Sequence, residues 1–383
     1  MSKVKILSER SPESSVKWSQ CGAGRIPMGV ADMDFKMDER IISHLQKFAE
    51  AGDFGYSTYQ AYEAAVTAWM KKRYDWDVPY EWITFCPGTL SGIAILINML
   101  SEKGDAVMIF SPVYNRFFDI IRYNGRKTVE CELINNDRRY EIDFQDMEEK
   151  IAAENVKVLI LSSPHNPVCR IWSIEEQKKI TEICRKHSVI IISDEIHADL
   201  TLPGHVHSPF LKNNMDYSES IIVTTSPSKA FNMPGLYMAN FIIPDESIRK
   251  SYLASIWSHP NLFGAEALKK AYEDCEDWLE DAVSYIAENY DSLENFISVN
   301  IPGVKLIKPE ATYLAWLDCR SLDLTQKELM ELFLERAGLY VSSGTDYGDC
   351  GRGYIRMNIA CSRETLERAV TQLMSATESL PSI

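Results

Sequence analysis

The sequence predicts an α/β protein with a large domain built on a mainly parallel sheet and a smaller α+β domain. Three observations carry this expectation. Between residues 106 and 243, short runs of β-branched and aliphatic residues alternate with amphipathic stretches of helical length. Several of these runs are apolar nearly throughout, as strands covered on both faces are. After about Asn261 the pattern turns to long charge-rich helical segments and then to shorter mixed elements.

Taken in order, the expected strands are 106–110, 127–131, 156–161, 189–193, 221–225 and 237–243. Residues 143–154 and 173–187 read as helices between them. The second begins with Ser173 and Glu176 at capping-box spacing. Beyond the sheet, residues 266–295 read as one long helix. A strand over 312–318, a helix over 325–337, a Gly-rich loop over 344–353, a strand over 354–359 and a last helix from Arg363 follow. No repeat and no Gly/Ser linker interrupts the chain. The expected division is an N-terminal segment, 1–49, that joins the small domain, a large domain over 50–275 and a small domain over 276–383. The boundary is expected to lie within a continuous helix.

Composition narrows the function before any motif is read. The chain has 383 residues and a formal net charge of −15, from 40 basic and 55 acidic side chains. Such a balance disfavours nucleic acid and anionic membranes as partners. The nine cysteines are scattered without a C-x-x-C pair, the pattern of reduced thiols. The first 15 residues carry no apolar core of a secretory signal, and the apolar stretch 88–101 falls short of the roughly 20 residues a bilayer needs. A cytoplasmic location is therefore expected.

In an open parallel sheet, ligands bind beyond the carboxyl ends of the strands. Tyr114 follows the first expected strand, Asn166 the third, Asp194 the fourth, and Ser226, Ser228 and Lys229 the fifth. An aromatic ring, an amide, a carboxylate and an amine are thus delivered to one edge of the sheet. These are the groups pyridoxal phosphate requires. Lys229 supplies the amine that bonds the cofactor, and Asp194 the carboxylate that keeps its pyridine nitrogen protonated. Asn166 can bond the 3′ oxygen and Tyr114 can stack on the ring. Gly88 and Thr89 open an apolar helical run, and with the two serines they suit a phosphate. Each residue alone has a plainer use: an Asp after a strand is more often a cap, and Asn-Pro and Pro-Gly are common turns. Co-location gives the set its weight. No metal site is expected.

With those residues in hand, the chain resembles the fold-type I pyridoxal-phosphate enzymes, the aspartate aminotransferase superfamily. It shares their segments Pro164–His165–Asn166–Pro167, Asp194–Glu195–Ile196–His197 and Ser226–Pro227–Ser228–Lys229. More narrowly it is similar to the cystathionine β-lyase branch known as MalY/PatB-type carbon–sulfur lyases. That likeness rests on ADMDF (31–35), FGYS (54–57), SDEIHADL (193–200), SKAFNMPGL (228–236), TYLAWLD (312–318) and RMN (356–358).

The resemblance implies a seven-stranded large sheet, Lys229 as the Schiff-base lysine and base at Cα, and Asp194 paired with the ring nitrogen. It implies phosphate contacts from Gly88, Thr89, Ser226 and Ser228, with Tyr56 extended across a homodimer interface to the neighbouring subunit's phosphate. It implies Arg356, helped by Asn166, as the grip on the substrate carboxylate. His197 is either a supporting residue of the site or a packed core histidine. The bulky Trp257 and Phe263 either shape the pocket or pack the core.

Three positions depart from the family pattern. Cys169 stands where the HNP-x-G loop has glycine, Gly29 replaces a tryptophan, and Ala230 replaces a hydroxyl residue after the lysine. A left-handed backbone at Cys169 would strain a side chain, and Gly29 would widen the substrate entrance.

The expected activity is β-elimination from cystathionine, cystine or another S-substituted cysteine, giving thiol, pyruvate and ammonia. Transamination begins with the same residues and is the enzymatic alternative. A cofactor-bound regulatory or interaction protein is the non-catalytic alternative, and full function of a Lys229→Ala protein would favour it.

Overall fold

Seven strands form the central sheet: β1 Ile83–Cys86, β2 Ala106–Ser111, β3 Lys127–Glu132, β4 Val158–Ser162, β5 Ile190–Asp194, β6 Ile221–Thr225 and β7 Ala239–Ile242. The computed structural model describes residues 4–7, 10–56, 60–256, 259–378 and 380. Ser57 of the FGYS block and Trp257 lie outside the described residues. The spatial order of the strands is β1-β7-β6-β5-β4-β2-β3. The five strands from β6 to β3 pair in parallel, while β7 runs antiparallel to both β6 and β1. Every residue of β2, β4 and β6 is buried, which explains their unbroken apolar character.

Register turns this sheet into a platform. Ser162 lies opposite Asp194, and Asp194 opposite Thr224. The carboxyl ends of β4, β5 and β6 therefore stop at one level, and the loops that leave them start side by side. One strand went unread in the sequence, β1. Its four residues, Ile-Thr-Phe-Cys, are too few to display a period, and it finds its place only by pairing with β7.

Local signals fix the helices. Asp143 caps Phe144–Glu154 by accepting from the N–H groups of Gln145 and Asp146. Ser173 and Glu176 form the reciprocal capping box of Ile174–Lys186. The long helix expected over 266–295 is instead two helices, Leu262–Asp274 and Glu276–Asn300, broken at Cys275. The charge pattern ran through that break without marking it. The helix expected over 325–337 is α-helical only over Gln326–Glu331 and continues as a wider π turn over Leu332–Arg336.

A second sheet is built from β8 Lys305–Leu306, β9 Leu314–Asp318, β10 Ser342–Ser343 and β11 Tyr354–Asn358, ordered β8-β9-β11-β10 and antiparallel throughout. The N-terminal segment is sewn to this part of the molecule. Ile26–Pro27 pairs in parallel with Leu339–Tyr340. Beyond it, Met28 N–H donates to Tyr340 O at 2.7 Å, and Asn358 N–H donates to Met28 O at 2.7 Å.

Lys17 is buried beneath residues 32–34, its Nζ 2.8 Å from Asp34 Oδ1 and 3.3 Å from Asp32 O. Removing one partner of such a buried pair costs about 3–5 kcal/mol, because the other charge stays behind in a dry place. Residues 31–34 are therefore held firmly where they pass over the carboxyl edge of the large sheet. Among the described residues no helix is long and apolar enough to cross a membrane.

Candidate active site

A cavity of about 580 Å³ opens where the carboxyl ends of β4, β5 and β6 meet the passing N-terminal segment. Its lining includes Gly88, Thr89, Tyr114, Asn166, Asp194, Ser226, Ser228 and Lys229, together with Ala31, His197 and Tyr237. Strand-end loops thus bring eight of the expected residues into one space. Arg356, on the second sheet, does not line the cavity but stands behind its lining residue Asn166, with Nη1 3.5 Å from Asn166 Oδ1. Tyr56 does not line it either: the residue is 94% exposed and its ring lies 5.6 Å from that of His259.

Asp194 ends β5 and is buried, with Oδ1 accepting from Ile196 N–H at 3.2 Å. Burial pushes its carboxyl up to about 7. Neighbouring Glu195 adds to the rise, while the backbone bond and Lys229 oppose it. Glu195 itself faces away, accepting from Ser193 Oγ at 3.0 Å and Phe210 N–H at 2.8 Å, with His207 Nε2 at 2.9 Å.

Lys229 sits in the short helix Pro227–Ala230, whose cap, Ser226, accepts from Ser228 N–H at 3.1 Å. Its Nζ donates to Ala31 O at 2.7 Å. Burial brings the ammonium down to about 8, against the pull of Asp32 and Asp194 and with the push of Arg356. An amine and a carboxyl, ordinarily more than six pH units apart, are thus brought to within about one of each other.

Near Gly88 the cavity gathers hydroxyls and the start of a helix. Gly88 caps the helix Thr89–Leu100, whose first N–H groups have no partner within the helix. Thr89 Oγ1 is buried and bonded to nothing among the described residues. A Cβ built on Gly88 would stand in open space, so the backbone there is accessible. Ser226 Oγ and Ser228 Oγ lie 2.8 Å apart, and Ser226 Oγ donates to Met238 O. Tyr114 presents its ring to the cavity and sets an edge against Phe117, with centroids 5.7 Å apart.

Arg356, in β11, is anchored through a single amino group. Its Nη2 donates to Gly29 O at 2.5 Å and to Ser342 Oγ at 3.3 Å, and its guanidinium lies over the Tyr347 ring at 5.0 Å. Nη1 reaches Asn166 Oδ1 only at 3.5 Å, and buried Nε has no partner among the described residues. Its position is fixed while part of its donor set stays unspent. Asn166 is held in turn by its N–H, which donates to Ser162 Oγ at 3.3 Å.

Several features lay beyond sequence reasoning. The acceptor for Lys229 is the Ala31 carbonyl, which also accepts from Tyr313 OH at 3.1 Å. A backbone carbonyl has no residue-type signature, although Ala31 and Tyr313 both fall in blocks singled out above. Tyr237, left-handed at φ 50°, lines the cavity, and nothing in its surroundings in the sequence announced it. His197 is buried at the cavity wall. Burial, with Lys229 and Arg356 adding, brings its imidazole down to about 3, so it is neutral.

The departures resolve individually. Cys169 is left-handed, at φ 59°, a conformation that costs a side-chain-bearing residue about 1–2 kcal/mol. The entrance at Gly29 is not widened: the Tyr340 ring occupies the space, coming within 3.1 Å of where a Cβ would sit. Ala230 is buried in the core. Phe263 packs in an aromatic cluster with Phe48 and Phe54 and is absent from the cavity lining.

The donor set fits a phosphorylated, electron-poor aromatic aldehyde. An orphaned hydroxyl and a helix start suit the phosphate, a buried carboxyl suits a ring nitrogen, and a poised amine suits the aldehyde.

The comparisons point the same way. The family model "Aminotransferase class I and II" matches residues 24–373. The chain is 38% identical to cystathionine beta-lyase PatB of Bacillus subtilis, over 96% of this chain and 98% of that protein. Among solved structures, cystalysin from Treponema denticola, which contains a pyridoxal 5′-phosphate cofactor, superposes with a TM-score of 0.96 at 32% identity, covering both chains entirely. The pyridoxal-phosphate-bound C–S lyase from Staphylococcus hominis superposes with a TM-score of 0.93 at 33% identity, over 97% of this chain and 98% of that one.

Proposed function

The chain belongs to the aminotransferase class I and II family, and from that premise we propose that it is a pyridoxal-phosphate-dependent carbon–sulfur β-lyase. It acts on cystathionine, cystine or another S-substituted cysteine. The observation that carries the reading is the amine of Lys229, brought down to about 8 beside a buried Asp194, in a cavity that also offers a helix start to a phosphate. The branch is chosen by likeness to proteins named as cystathionine or C–S lyases.

When bound, the cofactor would supply an electron-poor ring that accommodates negative charge at Cα. This chain's residues do the rest. Thr89, Ser226, Ser228 and the N–H groups after Gly88 would hold the phosphate, and Tyr114 would cover the ring. Asp194 would ionise beside a cationic ring nitrogen and keep it protonated, and Asn166 would bond the 3′ oxygen. Arg356, held over the Tyr347 ring and beside Asn166, grips the α-carboxylate with its guanidinium charge and the donors of Nη1 and Nε. This fixes Cα toward Lys229, whose neutral amine removes the proton. The carbon–sulfur bond then breaks with both electrons going to sulfur. The three-carbon fragment hydrolyses to pyruvate and ammonia, so cystathionine and one water give homocysteine, pyruvate and ammonia.

A cytoplasmic location fits nine cysteines that are all free thiols. A homodimer with shared sites fits the exposure of Tyr56, which is free to reach a neighbouring subunit's phosphate. Dilution to monomer then weakens cofactor binding.

The test mixes holoenzyme with cystathionine in the absence of any keto acid and follows pyruvate and thiol. Repeated turnover is expected. Turnover only after a keto-acid acceptor is added, with cystathionine and other S-substituted cysteines alike, would make the protein an aminotransferase.

A further inference from the structure

Two residues without glycine's freedom, Cys169 and Thr312, both hold left-handed backbone, at φ 59° and 71°. For β-branched Thr312 this is a genuine exception. They touch: Cys169 Sγ lies 3.4 Å from Thr312 Oγ1. Both are buried, far apart in sequence, and carried by different parts of the fold. Cys169 belongs to the loop that follows β4 and bears Asn166, and Thr312 to the segment that leads into β9.

Around this contact the segment 310–314 is clasped. Cys169 Sγ donates to Leu314 O at 3.0 Å, and Tyr290 OH stands 3.8 Å from the same sulfur. Glu310 N–H donates to Cys169 O at 3.0 Å, and Glu310 Oε2 accepts from Ile171 N–H at 2.7 Å. On its other side, Thr312 N–H donates to Leu200 O and Leu202 N–H to Glu310 O, so the same segment is tied to the chain that follows Asp194. Downstream, Leu314 pairs with Asn358 and Trp316 with Arg356. A short path thus runs from Asn166 through Cys169 and Thr312 into β9, and across one strand to Arg356.

We propose that Cys169 and Thr312 form a clasp of positioning residues that sets the distance between Asn166 and Arg356, and so the affinity for the substrate carboxylate. The inference rests on the reading of Arg356 as the carboxylate grip. Relief of backbone strain and loss of the clasp oppose each other in a glycine variant. Stability therefore moves little while the grip loosens.

The experiment measures, on holoenzyme, the dissociation constant of L-alanine, which has a carboxylate but no leaving group, from the cofactor's absorbance change. It also measures KM and kcat for cystathionine. Cys169→Gly is expected to raise the alanine dissociation constant and KM about fivefold with kcat changed less than twofold, and Cys169→Ser to restore both within twofold. Thr312→Gly, equally eased in its backbone, gives the same split and serves if the first variant fails to fold. Arg356→Lys is the control. If it weakens alanine binding while both glycine variants bind alanine as the parent does, the clasp is refuted and the grip stands. If it leaves alanine binding unchanged, the grip is refuted and the clasp with it.

Discussion

The two walls of the cavity are built on opposite principles. One is the carboxyl edge of the large sheet, where Asn166, Asp194, Ser226 and Lys229 follow directly from neighbouring parallel strands whose register aligns them. The other is made of distant pieces: Ala31 from the N-terminal segment lines the cavity, while Tyr313, from the approach to β9, and Arg356, from β11, stand behind it and touch its lining residues Ala31 and Asn166. These are joined through backbone carbonyls at Ala31 and Gly29. On the proposed reading, the contrast teaches that bond-making groups stand at the ends of the sheet ladder, where geometry is stiffest. The groups proposed to recognise substrate hang on cross-connections that can be adjusted one at a time.

The sharpest way to break this contrast is at Lys229. Lys229→Ala lowers pyruvate release from cystathionine by on the order of 10³-fold or more, since it removes both the cofactor's covalent partner and the base. The circular-dichroism spectrum stays that of the parent. If activity persists, chemistry does not reside on the sheet edge.

The same amine gives the next effect through pH. In apo-protein only the neutral form attacks an aldehyde, and the group titrates near 8. The rate of pyridoxal-phosphate attachment, followed by absorbance, therefore rises on the order of fiftyfold between pH 6 and 8 and then levels off. A rate that climbs tenfold per unit up to pH 10 would mean an amine of ordinary basicity.

Across the site, Arg356→Lys keeps the charge and loses the planar guanidinium with its several donors. It raises KM for cystathionine about 10- to 100-fold, with kcat changing much less. An equal fall in kcat would shift this residue from recognition to chemistry.

The smallest effect concerns stability. Asp194 titrates near 7 in the folded apo-protein, above its ordinary value of 3.8. Its burial therefore costs nothing below pH 4, and the cost grows as pH rises to 7. Apo Asp194→Asn is expected to melt a few degrees above the parent at pH 8 and level with it at pH 4, by calorimetry. Equal melting at pH 8 would place the carboxyl in a more solvated setting.

Legibility in the sequence followed the same division. Six of the seven sheet strands were readable because apolar runs and turn residues are local signals, and the strand-end residues came with them. β1 was hidden because four residues carry no period. The break at Cys275 was hidden because helical charge patterns on either side of it match. In the site, side chains with distinctive chemistry at strand ends were legible. The carbonyls of Gly29 and Ala31 were not, since any residue offers one. Tyr340, which fills the space beside Gly29, was invisible because a contact spanning some 300 residues leaves no trace in spacing.

The bond from Arg356 to Gly29 joins positions 327 residues apart. During synthesis, the strand-end wall can form while the chain is still being made, but the carboxylate grip cannot exist until β11 has left the ribosome and docked against residues that emerged first. A nascent chain therefore passes through a stage at which the large sheet can be folded with no means of selecting a substrate.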